Sequence, residues 1–529
     1  MNQEKRQCQN CKNPFTIEPE DFEFYKKIDV PPPTFCPSCR FQRRLMFLNP
    51  MSLYKRTYDL CGERFIAMYP PDAPYRIYCS KCWWGDGWDP LRYGRAYDFS
   101  RPFFEQFREL FHEVPLLGIS IGQSALATSP YTNHTDYLKD CYLVFMADHA
   151  ENANYGFYIW ESNNIFDCSF IMSSELCYDS MHSYKNSRCV GLRSQVTESL
   201  DSYFLKDCTN CQNCFASANL RGKKYYIFNK PYSKEEYFKT IKQWDLGSYR
   251  TYRLIQEQAE ARWKKFVPKP TMDEFTVGCS GSHIFQSKNC KQCFEIVGAE
   301  DCKFMAMMNQ PPIKDCYDIT YWGTNLTGSY EGCVVGENCA AMKFGWESGI
   351  NTYATEYSKL STSSKHHFGC VSVRKNDFCI LNKRYSEGEF QALRERVRKH
   401  MADMPYTDER GMVYRYGEFF PPAVSPFAYN ETLANEFFPL TKEQTLESGY
   451  RWREIDRKEY DTTMSARDLP DHIRDAAETI TGEVIGCARC GRGYQIIDPE
   501  LQFLRAMNLP LPRECPFCRV GDKLKQWVR

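Results

Sequence analysis

The sequence predicts a mainly β chain: a parallel, β-helix-like solenoid body in two repeat halves, flanked by small α+β modules. Three observations predict it. A Cys-x-x-Cys…Cys-x-x-Cys tetrad stands near each end, at Cys8, Cys11, Cys36, Cys39 and at Cys487, Cys490, Cys515, Cys518. Between them, short β-prone segments recur in which Asn, Asp or a small residue precedes a cysteine, as in "KDCYLVF", "FDCSFIM" and "ENCAAMK". Finally, "CFASANLRGKKYYIFNKPYSKEEYF" (214–238) returns as "HFGCVSVRKNDFCILNKRYSEGEFQ" (367–391), 153 positions later.

Bulk properties limit the function classes. The 529 residues allow roughly three to four ordinary domains unless a repeat extends one of them. Lys+Arg and Asp+Glu are both 67, so any nucleic-acid binding must come from a local patch. No apolar run is long enough to span a bilayer, and a metal-type cysteine at position 8 leaves no room for a cleaved signal peptide. The expected compartment is the cytoplasm, where 27 cysteines are thiols and metal ligands, not disulfides.

Each end tetrad supplies four thiolates, which suits a closed tetrahedral zinc site with no coordination position left for substrate. Modules this small (1–50 and 481–529) bury too little surface to fold alone, and metal binding would supply the missing free energy. The copies match beyond the ligands: Phe15 with Tyr494, Ile17 with Ile496, Phe24 with Phe503, and a Cys-Pro-x-Cys-Arg second knuckle in both. "EPEDFEFYKKI" and "DPELQFLRAM" each read as a short helix opened by acidic residues and proline. Arg40, Arg43 and Arg44 follow the first module at helical spacing. With Lys55 and Arg56 they form a candidate basic face for phosphate, or an ordinary solvated one.

Residues 51–120 hold a degenerate third site. Cys61, Cys79 and Cys82 would complete a ribbon if position 58 were cysteine, but it is Tyr58. Two outcomes stay open: a hairpin without metal, or a three-thiolate site completed by Asp59, a histidine or water. Trp83, Trp84, Trp88 and Tyr93 form an aromatic cluster. "SRPFFEQFRELF" reads as an amphipathic helix capped by Ser100, with Phe103, Phe107, Leu110 and Phe111 on its core face.

The solenoid halves are expected at 121–232 and 271–386, with coils of a little over twenty residues, and a purely antiparallel domain is the rival. Cysteine there acts as a small stacked hydrophobe. "CTNCQNC" (Cys208, Cys211, Cys214) is read as stacked Asn-Cys turns, not part of an iron–sulfur run, and His366, His367 and Cys370 as a satisfied edge. Capping boxes at Ser233/Glu236 and Ser386/Glu389 send each half into a helix; the first helical insertion covers 233–270. Residues 387–480 read as a helical and irregular linker region, with a helix start at Thr441/Gln444 and a charged, exposed helix over "ARDLPDHIRDAAETI".

With those motifs in place, the end modules resemble the treble-clef-like probable zinc-ribbon family. The whole chain is similar to a bacterial protein family with a zinc ribbon at each end, "YTNH" (131–134) and "IFNKxYSKEEY"-type motifs. The resemblance implies zinc-ribbon and β-repeat folds and brings no activity. The expected function is a zinc-binding, non-enzymatic scaffold or adaptor holding a protein partner, its zinc modules acting as interaction or capping elements, with two structural zinc ions and a third at the Cys61 site left open. The alternatives are a nucleic-acid-binding protein using Arg40, Arg43, Arg44, Lys55 and Arg56, and a carbohydrate-active enzyme using His134, Asp136, Asp148 and His149.

Overall fold

The computed structural model describes residues 2–454 and 461–527. The chain divides into two compact units, Met1–Ile119 with Pro270–Arg453 and Ser120–Lys269 with Glu454–Arg529. Each unit contains one terminal four-cysteine module and one stretch of parallel β-solenoid. Short strands pair in parallel through successive coils, as in Glu151, Asn163, Glu175 and Ser187.

The coils are 12 residues long over that run, and 13 at Tyr317–Tyr330. The twenty-odd residues expected from cysteine spacing were therefore an overestimate. The reason is a period of three. Asp167, Phe170, Ser173, Leu176, Asp179, His182, Lys185 and Arg188 all adopt positive φ, between 48° and 56°. Each such residue turns a corner, so four three-residue sides make one coil. The residue after each corner points into the lumen: Cys168, Ile171, Ser174, Cys177, Ser180, Ser183, Asn186 and Cys189 are all buried. Cys208, Cys211 and Cys214 follow corners at Asp207, Asn210 and Asn213, which accounts for "CTNCQNC" as three consecutive lumen positions. A left-handed residue costs on the order of 1–2 kcal/mol, least for Asn and Asp, hence the Asn/Asp-Cys signature.

The lumen composition follows from hydrogen bonding. Beside a corner, one backbone N–H turns inward and cannot join a ladder. The Leu192 N–H donates to Ser180 Oγ at 3.2 Å, and that hydroxyl donates to the Tyr178 carbonyl at 2.9 Å. The same relay runs from Ser174 N–H to Ser162 Oγ, from Asn186 N–H to Ser174 Oγ (both 3.1 Å), and from Ser199 N–H to Asn186 Oδ1 at 2.8 Å. Serine, cysteine and asparagine fit because the bore is narrow and every coil must satisfy such a donor. His367 is buried here too, with its ring nitrogens 3.1 Å from Ser361 Oγ and 2.8 Å from the Asn376 carbonyl. It is held by the fold, as is His366, stacked on Phe378 at 4.9 Å.

Outside the coils, the Phe103–Glu113 helix buries the expected Phe103, Phe107, Leu110 and Phe111, and Phe104 besides. Its N-cap is Pro102; Ser100 instead bonds Asp98. The capping boxes at Ser233, Ser386 and Thr441 are present. The first insertion forms two helices, Lys234–Ile241 and Tyr249–Trp263. The charged helix expected over 466–480 is absent: the segment makes only 3-10 turns at Ile473–Asp475 and Glu478–Gly482, and it buries Ile473, Ala476 and Ile480 against the core. The apolar residues do recur at helical spacing, but Pro470 stands inside the pattern and breaks a regular helix there. Among the described residues, no helix is long and apolar enough to cross a membrane.

Replacing Ser180 by Ala strands the Leu192 N–H in the lumen. The expected cost is about 1–3 kcal/mol in urea unfolding, against a near-neutral Ser173→Ala at an exposed corner. Burial lowers the His367 pKa to about 4 from its usual 6.5. The folded state therefore stays neutral while the unfolded chain takes up a proton. Stability contributed by neutral His367 is intact above pH 6.5 and lost as pH falls toward 4. The expected loss is roughly 3 kcal/mol, and His367→Gln should remove that slope from a stability-versus-pH curve.

Candidate metal centres and their docking

Three cysteine clusters bring their sulfur atoms together: Cys8/Cys11/Cys36/Cys39, Cys487/Cys490/Cys515/Cys518 and Cys61/Cys79/Cys82. Each is built alike. A hairpin (Glu4–Gln7 with Pro14–Ile17 in the first) carries two positions at its tip, and a short helix (Pro37–Leu45) carries two at its start. A left-handed residue closes each knuckle, at Lys12, Gly62 and Gly491. Cys36 is a helix N-cap, so backbone N–H groups and the positive helix end face the sulfurs. The Cys36 N–H donates to Cys8 Sγ at 3.3 Å, the Cys515 N–H to Cys487 Sγ at 3.2 Å, and Asn10 Nδ2 to Cys39 Sγ at 3.4 Å.

Four thiolates around a tetrahedral ion with 2.3 Å bonds stand roughly 3.8 Å apart. The observed separations are 3.7 Å for Cys11–Cys36, 3.7 Å for Cys490–Cys515 and 4.0 Å for Cys487–Cys518. The donor set fits a metal ion in both tetrads. In the third cluster Cys61 and Cys79 are 3.8 Å apart, also suited to metal. There the fourth vertex belongs to Tyr58, whose ring is buried and whose hydroxyl donates to the Ile66 carbonyl at 2.5 Å. Asp59 supplies no ligand: its carboxylate accepts from the Ile77 N–H at 2.7 Å and from Arg56 at 3.2 Å. Tyr58 packs its ring against Gly118 in the buried interior.

The expected basic face is not a surface. Arg40, Arg43 and Arg44 are all buried. Arg40 donates to Asp318 Oδ2 at 3.1 and 2.8 Å, and Arg44 to Asp318 Oδ1 at 2.9 Å. Arg43 reaches Glu331 at 2.5 Å and Glu418 at 3.1 Å. Arg56 is buried on the Pro70 and Tyr75 carbonyls, so Lys55 alone of the five is exposed. Periodicity placed these arginines on one helix face, but the carboxylates that claim them lie some 280 residues or more away in sequence.

The other unit repeats the arrangement with its own residues. Phe24 stacks on Tyr317 at 3.7 Å; Phe503 stacks on Phe166 at 4.3 Å. Arg40 on Asp318 is matched by Arg519 on Asp167, and the guanidiniums lie over Phe304 and Tyr155 at 5.1 and 4.9 Å. Arg44 is matched by Lys523, 2.8 Å from Asp179. Asp21 accepts from Lys303 at 2.7 Å, and its counterpart Glu500 from Arg519 at 3.0 Å. Burial raises the Glu500 pKa to about 7, against the pull of Arg519. Asp21/Glu500 and Arg44/Lys523 were legible signals that the aromatic matches overshadowed: all four pairs share one offset of 479. Of the remaining tail cations, Lys525 is exposed and Arg529 lies outside the described residues. Both modules therefore sit against the flank of a solenoid stretch, since Asp318 and Asp167 lie in mid-run coils.

Asp136 and Asp148, from the carbohydrate-enzyme alternative, stand in register one coil apart; His149 lies 3.0 Å from Asp148 and stacks on Tyr137, while His134 is buried. No family model, curated protein or solved structure matches the chain.

Asp318 neutralises two arginines with no access to water. Asp318→Ala leaves both unpaired and should cost about 3–5 kcal/mol in chemical denaturation, far beyond Asp315→Ala at the neighbouring, more exposed Lys27 pair.

Proposed function

We propose that this chain is a zinc-dependent, non-enzymatic scaffold or adaptor of the reducing cytoplasm, its end modules serving as metal-locked fasteners for two solenoid bodies. One observation carries the reading: the same anchor, a stacked ring beside an arginine on a buried aspartate, joins a four-cysteine module to the solenoid twice. Such duplication serves assembly. Zinc fits an all-thiolate donor set of closed tetrahedral form, and its contribution there is folding free energy, not chemistry. The solenoid flanks then remain for a protein partner. The nucleic-acid reading loses its main support with the arginines committed to carboxylates.

Metal analysis of the purified full chain tests this. Two zinc ions per chain are expected, rising to three if the Cys61 cluster also fills. Cys39→Ser should lose one ion, and Cys39→Ser with Cys518→Ser two. A metal-free protein still folded at both ends, or one holding iron, would contradict the proposal.

A further inference from the structure

The duplicated hairpin motif points to a partner site that the second copy reveals. In one unit the turn at Leu381–Lys383 is covered by the chain's own segment 90–99, a 3-10 turn at Pro90–Tyr93 that runs on into irregular chain over 94–98. The Arg95 N–H donates to the Leu381 carbonyl at 3.1 Å, and Asn382 Nδ2 donates to the Pro90 carbonyl at 3.1 Å. Gly94 passes so close that an added Cβ would lie 2.5 Å from the Asn382 carbonyl oxygen. Further on, Tyr97 and Phe99 run along the Glu387–Asp403 helix: the Tyr97 hydroxyl is 2.8 Å from His400 Nδ1, and Arg396 lies over Phe99 at 4.5 Å. This turn thus accepts a passing backbone at close range.

At the offset of 153, Leu381, Asn382 and Lys383 become Phe228, Asn229 and Lys230 in the other unit. There, the turn and the helices Lys234–Ile241 and Tyr249–Trp263 bound a cleft of about 460 Å³. Phe228, Tyr232 and Trp244 form its aromatic wall. Lys230, Arg262 and Lys265 supply its charge, and among the described residues no carboxylate lines it. Arg262 Nε is shielded from solvent and has no hydrogen-bond partner among the described residues. In the occupied copy, the counterparts of the cleft include Val397, which is buried in place of Trp244. There the single Glu387–Asp403 helix continues; here it breaks after Ile241, and the second helix brings Arg262 and Lys265 to the rim.

We propose that this cleft binds an extended acidic peptide segment of a partner protein, laid across the 227–232 turn as residues 90–99 lie across 380–385. The backbone acceptor at Phe228, the aromatic wall and three unopposed cations set its requirements: a free N–H, a planar or apolar side chain, and carboxylates within reach of Arg262 and Lys265. This deepens the scaffold reading and rests on it, since it names the partner chemistry an adaptor of this build would take.

Fluorescence anisotropy of the zinc-loaded full chain with a fluorescein-labelled peptide of five glutamates around a central Tyr-Gly tests the proposal. Saturable binding is expected, with quenching of Trp244 emission that Trp244→Phe removes. Arg262→Glu with Lys265→Glu, both at the rim, should weaken it at least tenfold, whereas Lys383→Glu in the occupied copy should leave it unchanged. Circular dichroism and zinc content check that each variant is folded, so that a lost peptide site is told apart from a lost scaffold. No saturable binding, undiminished binding by the double variant, or tighter binding of a single-stranded oligonucleotide of equal charge overturns the assignment.

Discussion

The architecture depends on a buried aspartate that an arginine reaches from a four-cysteine module. Asp318 takes two guanidiniums and Asp167 takes Arg519, in each case beneath a stacked aromatic pair. Buried ion pairs add little net stability over apolar packing, because desolvation offsets most of the attraction. What they supply is position. A module only tens of residues long has few apolar contacts with which to choose its place on a repetitive surface. An aspartate at one corner of one coil, with an aromatic ring on the coil before it (Tyr155 or Phe304) and a second carboxylate on the coil after it (Asp179 or Glu331), marks the address.

That address exists because of the coil geometry. With a left-handed residue at most third positions, corner side chains project outward in columns 12 to 14 residues apart. Tyr155, Asp167 and Asp179 form one such column; Phe304, Asp318 and Glu331 form another. The lumen meanwhile holds a slim core, in which Ile284, Met305, Ile319 and Val335 pack beside Cys290 and Cys316, and serine and asparagine side chains take up inward backbone donors. Most of the 27 cysteines are thus small lumen residues, and only those at the knuckles are placed as ligands.

Much of this was legible in the residues. The eight knuckle cysteines, their grouping into two tetrads, the solenoid class and the two duplications all follow from spacing that local chemistry enforces. The coil length did not, because cysteine occupies any of four sides and its spacing skips coils; the period of three in Cys208, Cys211 and Cys214 was the better guide. The fate of Arg40, Arg43 and Arg44 was also hidden. A helix face with three arginines looks the same whether water or a distant Asp318 receives it, and only long-range folding decides. Tyr58 shows the converse: one missing cysteine announced a different site, and the tyrosine in its place is buried with its hydroxyl on the Ile66 carbonyl.

In the proposed function, metal at each end holds a module against its solenoid flank. Hydrogen–deuterium exchange of the full chain before and after zinc removal measures this directly. Exchange should accelerate in two internal stretches remote from any cysteine knuckle, around 317–331 and 166–179, while lumen amides such as Leu192 and Ser199 stay protected. Unchanged protection in both stretches once the metal is gone would contradict it.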